Sequence, residues 1–231
     1  MTKISMLLAV LLLSGGCGSS PLGDHEAKLR GLTYSRKSPM NDIVWTPVAQ
    51  FDFENPAELD RFVQVAGGWT IRGGKLVATE GDRDRTIMLA PSGPMPARIA
   101  FDARLGRHPE GGARDFTVLV NATADEEFFR SGYTLTTGSY RNNTTCFYRA
   151  GKRLARTEYS PLEVERTYRV TVEIDGGHLR YWLDDRILLE AWDADPLAMD
   201  PKRWIGLRTW DIEMAVDNLT IDAGRREGLA E

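Results

Sequence analysis

Cysteine is nearly absent: the 231 residues hold two, Cys17 and Cys146, and two thiols cannot build a disulfide framework. Histidine is as scarce, with His25, His108 and His178 alone, which leaves no zinc-ligand spacing and suggests no Cys–His nucleophile pair. No Ser–His–Asp order and no phosphate-cradling glycine loop is present either. Charge of one sign is lacking: 29 Lys and Arg stand against 33 Asp and Glu, a net −4, so no basic surplus draws the chain to nucleic acid. Long apolar runs are missing too, because Ile4 to Leu13 rises only ~15 Å as a helix, half the core of a bilayer. No segment repeats at a fixed period, which argues against a propeller or solenoid.

What the N-terminus does contain is a signal: Lys3, the apolar stretch, then Ser14-Gly15-Gly16 before Cys17, a charged, apolar and small-residue succession that is removed on export. It resembles the lipobox of bacterial lipoproteins, with Ser14 standing where that pattern has Leu. The resemblance implies residues 1–16 as signal peptide, lipid on Cys17, and attachment to the bacterial cell envelope through that membrane anchor. The alternative is an ordinary secretory signal with Cys17 a bystander, which exports the chain equally. Residues 17–42 are polar and weakly periodic, the pattern of a tether, and 224–231 form a charged tail. The domain is expected over 43–223. Cys146, left without a partner, is expected to be a small buried hydrophobe.

Within the domain the period is two. Trp69–Arg72, Gly73-Gly74 and Lys75–Ala78 spell a hairpin with a two-residue turn. Tyr168–Ile174 alternates strictly, turns at Asp175-Gly176-Gly177 and returns as Leu179–Leu183. Comparable strands are expected at 86–89, 98–104, 116–121, 133–137, 145–149, 154–157, 187–192, 204–210 and 214–221. Only 57–62 and 125–130 read as helical. Many short strands with frequent turn signals mean an all-β sandwich or barrel.

The succession Phe51-Asp52-Phe53-Glu54, Gly68–Leu76, Tyr168–Val172, Tyr181–Asp185, Trp204–Thr209 and Val216–Ile221 resembles the concanavalin-A-like lectin and glucanase jelly rolls. Within that superfamily it looks closest to exported branches that include 3-keto-disaccharide hydrolase-type and polysaccharide-locus domains. The resemblance implies two stacked antiparallel sheets with an oligo- or polysaccharide partner on the concave face. It also implies a structural calcium between first and last strands, where Asp52 and Asp217 stand, although Asp217-Asn218 equally reads as a bulge or turn. No other cofactor is called for.

Parity picks the candidate groove residues. On 204–210, Ile205 and Leu207 share one face, and Trp204, Gly206, Arg208 and Trp210 the other. On 168–174, Tyr168, Val170, Val172 and Ile174 face the core, leaving Arg169 and Glu173 opposite. If Cys146 points inward, Phe147 and Arg149 line the groove, and Tyr140 joins them from the turn. Aromatic rings pack on sugar C–H faces and Arg, Asn and carboxylates match hydroxyls, so Tyr140, Arg149, Arg169, Glu173, Arg208 and Trp210 form the expected glycan-binding set. The plainer alternative is that Arg208 and Trp210 make an inert surface cation–π pair.

Catalytic signals are weak. Glu173-Ile174-Asp175 matches half of the glucanase Glu-x-Asp-x-Glu strand, but Gly176-Gly177-His178 follows, so the second Glu is missing and the strand ends there. Tyr133, Tyr140, Tyr148, Arg149 and Arg208 could supply a lyase's base and cation, without a specific pattern. Three functions stay open: a glycan-binding module, a glycan-cleaving hydrolase or lyase, and a structural or protein-interaction lipoprotein.

Overall fold

Alternation makes each strand a two-faced ribbon with one side to bury, and fifteen such strands pair antiparallel into two sheets in the computed structural model. It describes residues 39–79, 83–89, 97–108, 115–125, 127–159, 162–198, 200 and 202–226. The eight-stranded sheet holds β1 (Ile43–Phe51), β3 (Trp69–Ile71), β4 (Leu76–Ala78), β6 (Ala97–Leu105), β11 (Thr167–Asp175), β12 (His178–Leu183), β13 (Arg186–Trp192) and β15 (Met214–Arg226). Its order is β13-β12-β11-β6-β15-β4-β3, with β1 also on β15. The seven-stranded sheet holds β2 (Phe62–Ala66), β5 (Asp84–Leu89), β7 (Phe116–Ala122), β8 (Tyr133–Gly138), β9 (Thr144–Arg149), β10 (Lys152–Thr157) and β14 (Trp204–Trp210). Its order is β10-β9-β8-β7-β14-β5-β2. This is the all-β jelly-roll sandwich expected from the sequence.

The core is the meeting of the two inner faces. Tyr168, Val170, Val172 and Ile174 of β11 are all buried, as the alternation requires. Phe116 of the opposite sheet lies 6.3 Å from Phe101 and 6.5 Å from Tyr181, ring centre to ring centre. Each such large side chain removed from water contributes roughly 1.5–3 kcal/mol. The β3–β4 hairpin turns at Gly73 and Gly74 with φ of +58° and +66°, the left-handed pair that a two-residue hairpin turn demands.

Several local expectations are corrected. The strand placed at 51–54 is the end of β1, which stops at Phe51. Pro47 hid the rest of β1, but proline is tolerated at a sheet edge or bulge, and the β1–β15 register does shift between Pro47 and Ala49. The helix at 57–62 is a 3-10 turn, Pro56–Arg61, capped by Asn55 Oδ1 accepting from Ala57 N at 3.0 Å, and Phe62 already begins β2. That at 125–130 shrinks to Phe128–Ser131. β15 runs into the expected tail, pairing Arg226 with Ile43, and the expected tether ends in a 3-10 turn, Pro39–Asp42. Met40 is buried there, its sulfur 3.1 Å from Arg180 Nε. The expected signal peptide, Cys17 and the last five residues, 227–231, lie outside the described residues.

Candidate functional site

β14 sits between β7 and β5, and its pairing sets the outer face of the seven-stranded sheet in rows. Gly206 lies opposite Met88 and Leu119, and Arg208 opposite Thr86 and Thr117. Thr117 faces Thr136, and Thr136 faces Cys146. The Gly206 row is apolar: Met88 and Leu119 close over the glycine, where a Cβ would meet Met88 Sδ at 2.3 Å, and Phe128 packs with them. The Arg208 row is polar and floors a cavity of about 520 Å³, inside the size range of small-ligand sites.

Arg208 is the centre of that floor. Its Nε and Nη2 donate to Asp84 Oδ1 and Oδ2 at 3.0 and 3.1 Å, a bidentate fork. Its Nη1 lies 3.7 Å from Asp115 Oδ2, and the guanidinium is 5.2 Å from the centre of the Trp210 ring. Burial pushes the Asp115 carboxyl up from its usual range, against the opposing pull of Arg208. Arg208 is therefore a neutralised, rigid plane rather than a free cation. Thr117 Oγ1 is buried in the floor with no hydrogen-bond partner, an expensive state for a hydroxyl unless something in the cavity satisfies it. His108 Nε2 pairs with Asp211 Oδ2 at 3.1 Å at one side.

The opposite wall is aromatic. Tyr148 packs on Phe129, centres 5.4 Å apart, and Arg156 stands 5.0 Å over the Tyr140 ring. Burial first, then Cys146 and Tyr140, push the Tyr148 phenol up, so it stays a neutral donor. Tyr140 belongs to a helical turn, Ser139–Asn142, whose Tyr140, Arg141 and Asn142 all have left-handed φ, 52°, 62° and 63°. Asn142 Nδ2 donates to Leu162 O at 2.6 Å, and Asn143 Nδ2 to Tyr140 O at 2.9 Å, holding the turn. Trp210 and Tyr140 keep 40% and 59% of their surface exposed at the rim.

Of the six residues expected to bind, the structure brings together Tyr140, Arg208 and Trp210. Arg149 is corrected because the parity of β9 is the reverse of that expected: Phe147 fills the core and Cys146, though fully buried, lies on the cavity side with Tyr148. Phe147 has no polar tip to satisfy and Tyr148 does, so the core takes the phenylalanine. Arg149 shares the Phe147 face, its Nε 3.0 Å from Asp193 and Nη2 2.8 Å from Asp195. Arg169 and Glu173 are corrected because β11 belongs to the other sheet. Arg169 bonds Asp102 and the Asn218 carbonyl. Glu173 is buried among Arg98, Arg180 and the Trp182 Nε1–H. Tyr133 is a core residue donating to Asp193. Asp84, Asp115, Thr117, His108 and Asp211 escaped the sequence; only Thr117, on the non-core side of β7 by parity with Phe116 and Val118, carried a signal.

The residues expected to hold calcium do not fit it. Asp217 Oδ2 is taken by Lys75 Nζ at 2.5 Å and its Oδ1 by the Asn218 N–H, at a bulge in β15. Asp52 Oδ1 accepts from Glu54 N. Among the described residues no three His, Cys, Asp or Glu converge as a metal site.

No protein-family model and no curated protein sequence matches the chain. Solved structures do. The carbohydrate-binding module CBM66 from Bacillus subtilis is 20% identical over 71% of this chain and 96% of its own, with a TM-score of 0.57. A Bacillus subtilis protein of unknown function with a galectin-like fold is 13% identical over 80% of this chain and all of its own, with a TM-score of 0.63. This chain has the jelly-roll sandwich fold that these structures share. The carbohydrate recognition domain of Emp46p, in metal-free form, has it too, at 11% identity, 77% and 97% coverage and a TM-score of 0.59. Identities this low speak for the fold alone.

Proposed function

We propose that the chain is a glycan-binding lipoprotein, with the sugar in the cavity over β14, β7 and β8 and the chain held at the bacterial envelope by lipid on Cys17. One observation carries the binding reading: two exposed rings, Trp210 and Tyr140, stand at the rim of a floor made of Arg208, Thr136 and the unpartnered Thr117 hydroxyl. Rings take sugar C–H faces, and fixed hydroxyl and guanidinium groups take the sugar hydroxyls. That the similar folds include a carbohydrate-binding module and a carbohydrate recognition domain supports the same use. The test is a glycan array followed by titration calorimetry. Binding should weaken about tenfold in Trp210→Ala, a loss near 1.4 kcal/mol, with no change in thermal midpoint. An array with no binder, or equal affinity in Trp210→Ala, sinks the proposal.

A glycan-cleaving activity is favoured by one feature, the burial-raised Asp115 acid beside a second carboxylate, Asp84. Against it, Asp84 is not among the residues that line the cavity, and both its oxygens accept from Arg208, so the two carboxylates do not face a sugar from opposite sides. Product release from a polysaccharide panel, abolished in Asp115→Asn, would establish the enzyme instead. The lipid anchor rests on Ser14-Gly15-Gly16-Cys17. Labelling with an alkyne fatty acid should be lost in Cys17→Ala.

A further inference from the structure

Taking the glycan reading as its basis, we infer that the ligand is an acidic glycan whose carboxylate or sulfate is held between Arg83 and Arg141. Three guanidinium groups line the cavity: Arg83, Arg141 and Arg208. Arg208 is spoken for by Asp84 and Asp115. Arg83 and Arg141 are both exposed, and neither makes an ion pair among the described residues. Of the two carboxylates of the lining, Asp211 is hydrogen-bonded to His108 and Asp115 stands beside Arg208, and neither forms an ion pair with Arg83 or Arg141. What remains at the rim, among the described residues, is two guanidinium groups without an ion-pair partner. A planar fork with five donors matches a carboxylate or sulfate better than any neutral hydroxyl does.

Both arginines are positioned by backbone. The Arg83 carbonyl accepts from the Asp211 N–H at 2.6 Å, tying the start of β5 to the end of β14. Arg141 is the middle of the three consecutive left-handed residues, a conformation that asparagine tolerates but that crowds the Cβ of Tyr140 and Arg141. Asn143 N donating to Ser139 O at 3.0 Å, with the two asparagine side-chain bonds, keeps that turn closed. Strain of this kind persists where the side chains it presents are used, and here they are Tyr140 and Arg141. The unpartnered Thr117 hydroxyl below supplies a neutral contact for a ring hydroxyl. A sugar that lies on the aromatic rim with its charged group toward Arg83 and Arg141 engages both of these arginines and the Thr117 hydroxyl together.

The test uses the full chain and an array in which each uronate or sulfated oligosaccharide stands beside its carboxyl-reduced or desulfated counterpart; calorimetry follows on the best pair. The acidic member should bind at least tenfold tighter, and added salt should narrow the gap, since exposed charges are screened. Arg83→Gln and Arg141→Gln should each remove most of the preference and leave affinity for the neutral member unchanged. Both sites are exposed and unpaired, so the variants should fold, and unchanged thermal midpoints check this. Equal binding of both members, or a preference that survives in the double variant, overturns the inference while glycan binding stands. No binding to either member of any pair removes both.

Discussion

Arg208 grips Asp84 by both carboxylate oxygens across 124 residues of sequence, Nε on Oδ1 at 3.0 Å and Nη2 on Oδ2 at 3.1 Å. The fork fixes the plane of the guanidinium and so the flatness of the cavity floor. Trp210, two residues on along the same strand face, sets its ring against that plane.

Arg208→Lys keeps the charge and loses the fork. Urea unfolding should show a loss of roughly 1–3 kcal/mol, the range for a part-buried charged hydrogen-bonding group left half-satisfied, together with at least a tenfold loss of glycan affinity. A lysine variant with wild-type stability and affinity would show that only charge matters here.

Asp115 gives the site a pH signature. Its folded-state value is raised above the ordinary 3.8, mainly by burial, so its contribution to stability is whole below 3.8 and is lost as pH rises through the raised value. Asp115→Asn is neutral at every pH. The stability of the variant relative to wild type should therefore climb with pH above 3.8 and then level off. Urea midpoints that stay a constant distance apart from about pH 3 to about pH 8 would count against a buried, proton-holding Asp115.

Tyr133 does the same at the alkaline end. Burial, aided by its bond to Asp193, pushes the phenol from 10.0 up to about 12. Its stabilisation is present below 10.0 and lost as pH rises towards about 12. Tyr133→Phe should unfold more readily at neutral pH, having lost the 2.8 Å bond to Asp193 and the 3.0 Å bond from Leu197 N. Its stability should also fall less steeply above 10.0 than that of wild type. The difference in phenolate absorbance between the two proteins reads the titration directly.

Arg141→Gly separates strain from use. Glycine adopts φ of +62° without the Cβ clash, so thermal stability should hold or rise by up to about 1 kcal/mol, while affinity for an acidic glycan drops. A destabilised variant would mean that the Arg141 side chain supports the fold.

What the sequence made legible was local. β11 alternates over consecutive residues, and Gly73-Gly74 encodes its own turn, so both could be read in place. β9 could not, because Cys146, Phe147 and Tyr148 put apolar surface on both faces, and only the packing of Phe147 into the shared core settles which is inner. Arg169 and Arg208 look alike in sequence, each an arginine on the non-core side of a strand. They part company because β11 pairs with β6 and β14 with β7 and β5, and sheet membership is a property of distant pairings. Asp84 was invisible for the same reason: nothing near residue 84 announces an arginine at 208.

Met40 has a directional consequence. It is clamped on Arg180, a residue that shares its strand face with Trp182 and, on the neighbouring strand, Glu173, all on the outer side of the eight-stranded sheet. The Pro39–Asp42 turn is thereby held on the outer face of the eight-stranded sheet, and the cavity opens on the outer face of the other sheet.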